Sequence, residues 1–100
     1  MKPQVLTQIS AQLSAKMKIS KNSDTLTVDI HGMRVEDARF RLESLISGCN
    51  IGITKIIVIH GSNSGHALRD MVRNELTAPR IKSICPVFAN DGQTVIILHG

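Results

Sequence analysis

Thr25-Leu26-Thr27-Val28-Asp29-Ile30-His31-Gly32 alternates apolar and polar side chains without a break. Leu26, Val28 and Ile30 fall on one face of an extended chain. Thr25, Thr27, Asp29 and His31 fall on the other, because successive side chains of a strand point to opposite sides. Gly32 ends the strand, and the period then changes. Val35, Ala38, Leu42, Leu45, Ile46 and Cys49 recur at helical spacing, with Glu36 and Asp37 near the positive end of the helix dipole. Strand, tight turn and amphipathic helix, closing between Gly48 and Gly52, set the class as α/β.

The same unit recurs downstream. Ile56-Ile57-Val58-Ile59 is a continuous β-branched run, as expected of a strand buried on both faces, and His60 follows it directly. A polar loop, residues 61–65, leads to a second helix with Leu68, Met71, Val72 and Leu76 on one face and Pro79 beyond its end. Ile81 to Phe88 reads as an edge strand because Pro86 interrupts it. Asn90-Asp91-Gly92 reads as the turn of a hairpin, and Thr94 to Leu98 as its second strand. The order is β-α-β-α-β-β. Right-handed crossovers then place the first strands parallel and both helices on one side, which makes a two-layer sandwich. Ile57, Ile59 and one pair from Val95, Ile96, Ile97 and Leu98 must lie opposite the helices. Apolar rows seldom face water uncovered, so the N-terminal segment or a homodimer partner is expected over them.

Upstream, Leu6, Ile9, Leu13 and Met17 have the spacing of a narrow helical stripe, and Ser20 to Asp24 reads as a linker. Residues 1–23 hold Lys2, Lys16, Lys18 and Lys21 and no acid, whereas from Asp24 onward eight Lys/Arg balance eight Asp/Glu. The net charge of +4 therefore belongs to a basic extension, residues 1–23, ahead of a neutral domain, residues 24–100. Such a segment suits a nucleic-acid backbone through counterion release, and equally a solvated tail.

One hundred residues suit one domain, and a chain of this size buries about 60–70% of its unfolded surface. No apolar run approaches the roughly 18 residues of a membrane span, and the N-terminus lacks the apolar core of a signal peptide. Cys49 and Cys85 form no CxxC pair and read as small hydrophobes, which fits a cytoplasmic setting.

The chemistry-bearing residues gather where strands run into helices. Asp29 and His31 leave one face of the first strand and can cooperate. His31 and His60 both end strands that feed helices, the edge at which open α/β sheets tend to bind ligands. Unpaired N–H groups at the following helix starts suit phosphate oxygens. The loop His60-Gly61-Ser62-Asn63-Ser64-Gly65 is small enough to admit a phosphodiester to its backbone. Arg34 and Arg69 lie a turn or two away and supply positive charge. His66 and His99 read as surface residues.

These motifs resemble a known family. Val28-Asp29-Ile30-His31-Gly32 followed by a helix is similar to the LDLHG motif of Smr (small MutS-related) domains. His60-Gly61 with Ser62 to Gly65, then Leu68-Arg69, resembles that family's HGxG loop and the helix after it, and Gly92 to Leu98 its closing strand. The resemblance covers about residues 24–98. Asn63 stands where the second glycine of HGxG falls, in a loop one residue longer, and asparagine tolerates left-handed backbone geometry better than most residues. The resemblance implies a fold like the C-terminal domain of bacterial translation initiation factor three. It also implies nucleic-acid binding and, in several members, endonuclease activity on DNA or RNA. In that family the D-x-H pair is the suspected catalytic element, which maps onto Asp29 and His31, and the glycine loop is linked to substrate binding.

Phosphodiester cleavage would use His31 as general base or acid, since imidazole is the side chain that titrates nearest neutrality. Asp29 would orient it or hold a divalent cation, Mg²⁺ or Mn²⁺. His60 and the N–H groups of residues 61–65 would stabilise phosphate charge, with Gly32 and Arg34 beside them. One aspartate alone makes a poor metal site. With RNA, the 2′-hydroxyl would serve as nucleophile without metal. The competing class is a non-catalytic module that docks on structured nucleic acid or a ribonucleoprotein through backbone and shape. Phe40 and Phe88, the only aromatics, lie outside both His-Gly loops.

Overall fold

The alternating stretch is strand β2, Thr25–Asp29. Leu26 and Val28 are buried on one side, as their spacing requires, and Ile30 continues the row just past the strand. The computed structural model describes residues 16–61 and 66–100. Around β2 stand α1, Val35–Gly48, β3, Lys55–Ile59, α2, Ala67–Asn74, β4, Ile81–Val87, and β5, Asn90–Leu98. The β-α-β-α-β-β order is present, with one strand added in front of it.

That added strand is β1, Lys18–Asn22. It pairs antiparallel with β2, Lys18 opposite Asp29 and Asn22 opposite Thr25. The segment from Ser20 to Asp24, expected as a linker, is instead the end of this strand and a tight turn with Ser23 at φ 60. A polar strand at a sheet edge carries no apolar alternation, which is why the sequence hides it. The junction expected at residue 23 falls in this turn. Three of the four N-terminal lysines, Lys16, Lys18 and Lys21, thus belong to the strand or its approach. Of the expected helical stripe, Leu6, Ile9 and Leu13 lie outside the described residues, whereas Met17 leads into β1 in extended, non-helical chain and packs against the core.

The sheet runs β1-β2-β3-β5-β4. β2 and β3 are parallel, and β3–β5 and β5–β4 are antiparallel. One core unites Leu26, Val28, Ile56, Val58, Ile96 and Leu98 from the sheet with Ala38, Leu42 and Ile46 from α1 and Met71 and Val72 from α2. Both helices therefore cover the same face. Fully burying an aliphatic side chain of this kind is worth about 1.5–3 kcal/mol, so this face carries most of the fold's stability. On the opposite face Ile57 and Ile59 of β3 and Val95 and Ile97 of β5 are half-buried.

Two details near the helix ends and the hairpin fix the frame. Arg80 donates to the carbonyls of Cys49 at 2.8 Å and Ile53 at 2.9 Å, satisfying backbone acceptors that the end of α1 and the following loop leave open. The hairpin turn falls at Phe88–Ala89, with Ala89 at φ 62, rather than at Asn90-Asp91-Gly92. The turn chemistry of Asn90 is spent locally: its Oδ1 accepts the Gly92 N–H at 3.1 Å. The Gly92 carbonyl is thereby aimed at the end of β3. Among the described residues, no helix is long and apolar enough to cross a membrane.

Candidate nucleic-acid site

The strand-to-helix turn after β2 brings Asp29 and His31 together. Asp29 Oδ1 accepts the backbone N–H of His31 at 3.0 Å and lies 2.6 Å from its Nδ1. One carboxylate oxygen therefore fixes both the backbone and the ring. A carboxylate facing Nδ1 makes that nitrogen the donor, so Nε2 carries the free lone pair. The His31 side chain is 63% exposed, and no hydrogen bond reaches Nε2 among the described residues. Burial pushes the Asp29 carboxyl up, but the His31 ring and N–H outweigh it and hold it below its ordinary value. Lys18, opposite Asp29 across the β1–β2 ladder, adds to that lowering.

Gly32 and Gly61 both have positive φ, 79° and 78°. At Gly61 the demand is also spatial, since a Cβ there would meet His31 Cβ at 3.4 Å. The two His-Gly turns thus approach each other closely at Gly61 and His31 Cβ. The backbone N–H groups of His60 and Gly61 both donate to the Gly92 carbonyl, at 2.9 and 3.1 Å. The Gly61 N–H is consequently engaged inside the fold and does not face a ligand as the sequence led us to expect. Ser62, Asn63, Ser64 and Gly65 lie outside the described residues.

His60 differs from the expectation as well. It is buried, and both ring nitrogens have partners within the protein. Arg73 Nε donates to Thr94 Oγ1 at 2.9 Å, so the Thr94 hydroxyl is free to donate to His60 Nε2, also at 2.9 Å. His60 Nδ1 then donates to the Gly61 carbonyl at 3.2 Å. Burial, reinforced by the Arg73 charge, holds this imidazole below the ordinary histidine value. The chain of bonds makes His60 a brace that sets the Gly61 turn, with both ring nitrogens engaged inside the protein.

Three residues that the sequence did not single out, Arg73, Asp91 and Thr94, lie beside these turns, and Lys18, expected in the basic extension, stands opposite Asp29. Arg69 and Arg73 stand one turn apart on α2 and both reach Asp91, the residue before Gly92. Their four-residue spacing was a readable signal, because it places them on one helix face. Nothing in the sequence pairs them with Asp91. Arg34 ends the turn after Gly32 as the residue capping α1, whose start has no side-chain cap. Of the two aromatics, Phe40 lies on α1, lining a groove of about 630 Å³ with Met17 and Ile19. Phe88, 98% exposed, tips the β4–β5 hairpin only a few residues beyond Asp91 and Gly92.

The model of the Smr domain family matches residues 28–99, and the chain belongs to that family. A curated relative, the endonuclease MutS2 of Finegoldia magna, is 33% identical over 88 residues, covering 85% of this chain. The chain spans only 11% of that relative's length. The crystal structure of the Smr domain of Thermus thermophilus MutS2 superposes with a TM-score of 0.58 at 22% identity. It covers 74% of this chain and 98% of that one, which makes the fold the same.

Proposed function

We propose that this Smr domain binds nucleic acid and cleaves its phosphodiester backbone, with His31 moving the proton and Asp29 positioning it. The observation that carries the reading is the 2.6 Å Asp29–His31 pair, which engages Nδ1 and leaves Nε2 of an exposed side chain for substrate. Family membership and similarity to a protein named an endonuclease support it.

RNA fits this donor set best. His31 Nε2 accepts the 2′-hydroxyl proton as the 2′ oxygen attacks phosphorus. The 2′-O–P bond forms, the P–O5′ bond breaks, and the imidazolium returns its proton to the departing 5′ oxygen. Asp29 stabilises the imidazolium in between. Lys18, beside Asp29, supplies charge for the phosphate. A resident Mg²⁺ or Mn²⁺ does not fit these residues: Asp29 spends Oδ1 on His31, and no three His, Cys, Asp or Glu gather among the described residues.

The deciding experiment incubates the purified protein with labelled single-stranded, duplex and branched RNA and DNA, with Mg²⁺, Mn²⁺ or EDTA. Cleavage of RNA in EDTA, leaving 2′,3′-cyclic phosphate ends, is the expected result. Cleavage of DNA alone, with a metal requirement, overturns the RNA assignment. Tight binding without cleavage of any substrate overturns the catalytic one and leaves a binding module.

A further inference from the structure

The cluster of Arg69, Arg73 and Asp91 does more than join α2 to β5. Each arginine is braced independently of Asp91. Arg73 Nε is held by Thr94 Oγ1 at 2.9 Å and its Nη2 by the Gln93 carbonyl at 3.2 Å. Arg69 is held by Asp70, at 3.2 Å from both Nε and Nη2. Each then turns its remaining Nη1 onto a different oxygen of one carboxylate, Arg69 to Asp91 Oδ2 at 2.6 Å and Arg73 to Oδ1 at 3.4 Å. Two fixed guanidiniums converging on two oxygens of a single anion is the geometry with which arginines grip phosphate.

The order of exposure gives the direction in which the cluster opens. The arginine side chains are 22% and 19% exposed, and the Asp91 side chain is 53% exposed. The carboxylate therefore sits on the solvent side of the cations. Because the arginines keep their other bonds when it turns away, its departure uncovers a preformed cationic fork. The position matters too. Asp91 precedes Gly92, at which an added Cβ would meet Gly61 Cα at 3.6 Å, and Gly61 closely approaches His31 Cβ. The fork lies next to the candidate cleavage site.

We propose that Arg69 and Arg73 form a second phosphate subsite, filled in the free protein by the chain's own Asp91 carboxylate. As part of the nucleic-acid reading above, its ligand is a backbone phosphate flanking the scissile one. Asp91 then acts as an internal competitor: a substrate phosphate must displace it, which lowers affinity for stray anions and favours polyanions anchored at both positions. Exchanging one carboxylate for one phosphate leaves the arginine bonds intact in number.

Two measurements test this, one of which does not depend on the nucleic-acid reading. The first follows thermal unfolding of wild type, Asp91→Asn and the double variant Asp91→Asn/Arg69→Gln during titration with inorganic phosphate and with pyrophosphate. Asp91→Asn should bind pyrophosphate about tenfold more tightly than wild type, a factor worth about 1.4 kcal/mol, and the double variant should lose the gain. Equal responses of wild type and Asp91→Asn overturn the proposal. Asp91→Ser, which keeps a small polar residue, repeats the comparison should the asparagine variant unfold. The second measures oligonucleotide binding against salt. Asp91→Asn should bind more tightly, with the slope of log K against log salt steeper by about 0.7–0.9, one phosphate contact. A slope identical to that of wild type overturns the subsite as a substrate contact. If pyrophosphate binding responds as expected while no oligonucleotide binds, the subsite stands and the nucleic-acid reading fails.

Discussion

The bare Cα of Gly61 and the Cβ of His31 are neighbours: a methyl group built on the glycine would stand 3.4 Å from that Cβ. With φ at +78°, Gly61 also occupies backbone space that L-residues enter at a cost of about 1–2 kcal/mol. Gly61→Ala should therefore lower stability by about that amount and push His31 off its alignment with Asp29. Cleavage should fall far more than the loss of folded protein explains. A variant that loses stability and keeps its full rate per folded molecule would show that the glycine serves the backbone alone.

The Asp29–His31 pair separates chemistry from binding. His31→Ala should abolish cleavage with a small change in affinity, and Asp29→Asn should slow it strongly, since the aspartate fixes the ring through Nδ1. Both variants should fold, because neither side chain joins the apolar core. The double variant should be little worse than the worse single one, as groups acting together are not additive. Full wild-type turnover by well-folded His31→Ala would falsify the mechanism.

Lys18 should act through charge alone. It stands opposite Asp29 on the edge strand, so Lys18→Gln should weaken oligonucleotide binding and reduce the salt slope by about 0.7–0.9. An unchanged slope, measured by titration between low and moderate salt, removes it from the phosphate path.

His60 should make stability depend on pH. Its folded-state value lies below the ordinary 6.5 because burial disfavours the cation. The unfolded chain therefore takes up a proton first as pH falls. Stability from this residue is full above pH 6.5 and drains as pH drops toward the folded value, by at most about 1.4 kcal/mol per pH unit. His60→Gln should be less stable than wild type at pH 7.5 and show a flatter decline between pH 6.5 and 5. Parallel urea-unfolding curves for the two proteins across that range would refute the assignment.

Leu42 lies in the middle of the α1 stripe and is fully buried. Leu42→Ala should cost about 2–5 kcal/mol in urea unfolding, without altering the ratio of cleavage to folded protein. A cost near zero would mean that α1 packs through another face.

The two helices and the three inner strands, β2, β3 and β5, were readable because each carries apolar residues tied to one shared core. Leu26, Val28 and Ile30 declare a strand, and Ala38, Leu42 and Ile46 declare a helix, through the same burial that holds them. Strand β1 was not readable. All five of its residues are exposed, so nothing in Lys18–Asn22 records which side faces in. The site divides along the same line. Asp29 and His31 are two residues apart and their alliance is local. His60 read as a phosphate-stabilising group because its ties to Thr94 and, through it, to Arg73 cross 34 and 13 positions of sequence that periodicity does not report. The Asn90-Asp91-Gly92 turn signal was real chemistry put to another purpose, directing the Gly92 carbonyl to the ends of His60 and Gly61.

Among the described residues the sheet ends on one side at β1 and on the other at β4, and each border has its own guard against growth. An outermost strand offers unpaired N–H and C=O groups to any passing chain, the first step toward fibres. Lys18 and Lys21 line the first border, so a second copy arriving there meets like charge. On the other border, Pro86 removes a donor and two register irregularities interrupt the regular spacing that a sixth strand would need. The lysine proposed to meet phosphate thus also sets like charge between neighbouring molecules. Neutralising both lysines should turn this border into a template, with aggregation rising with protein concentration.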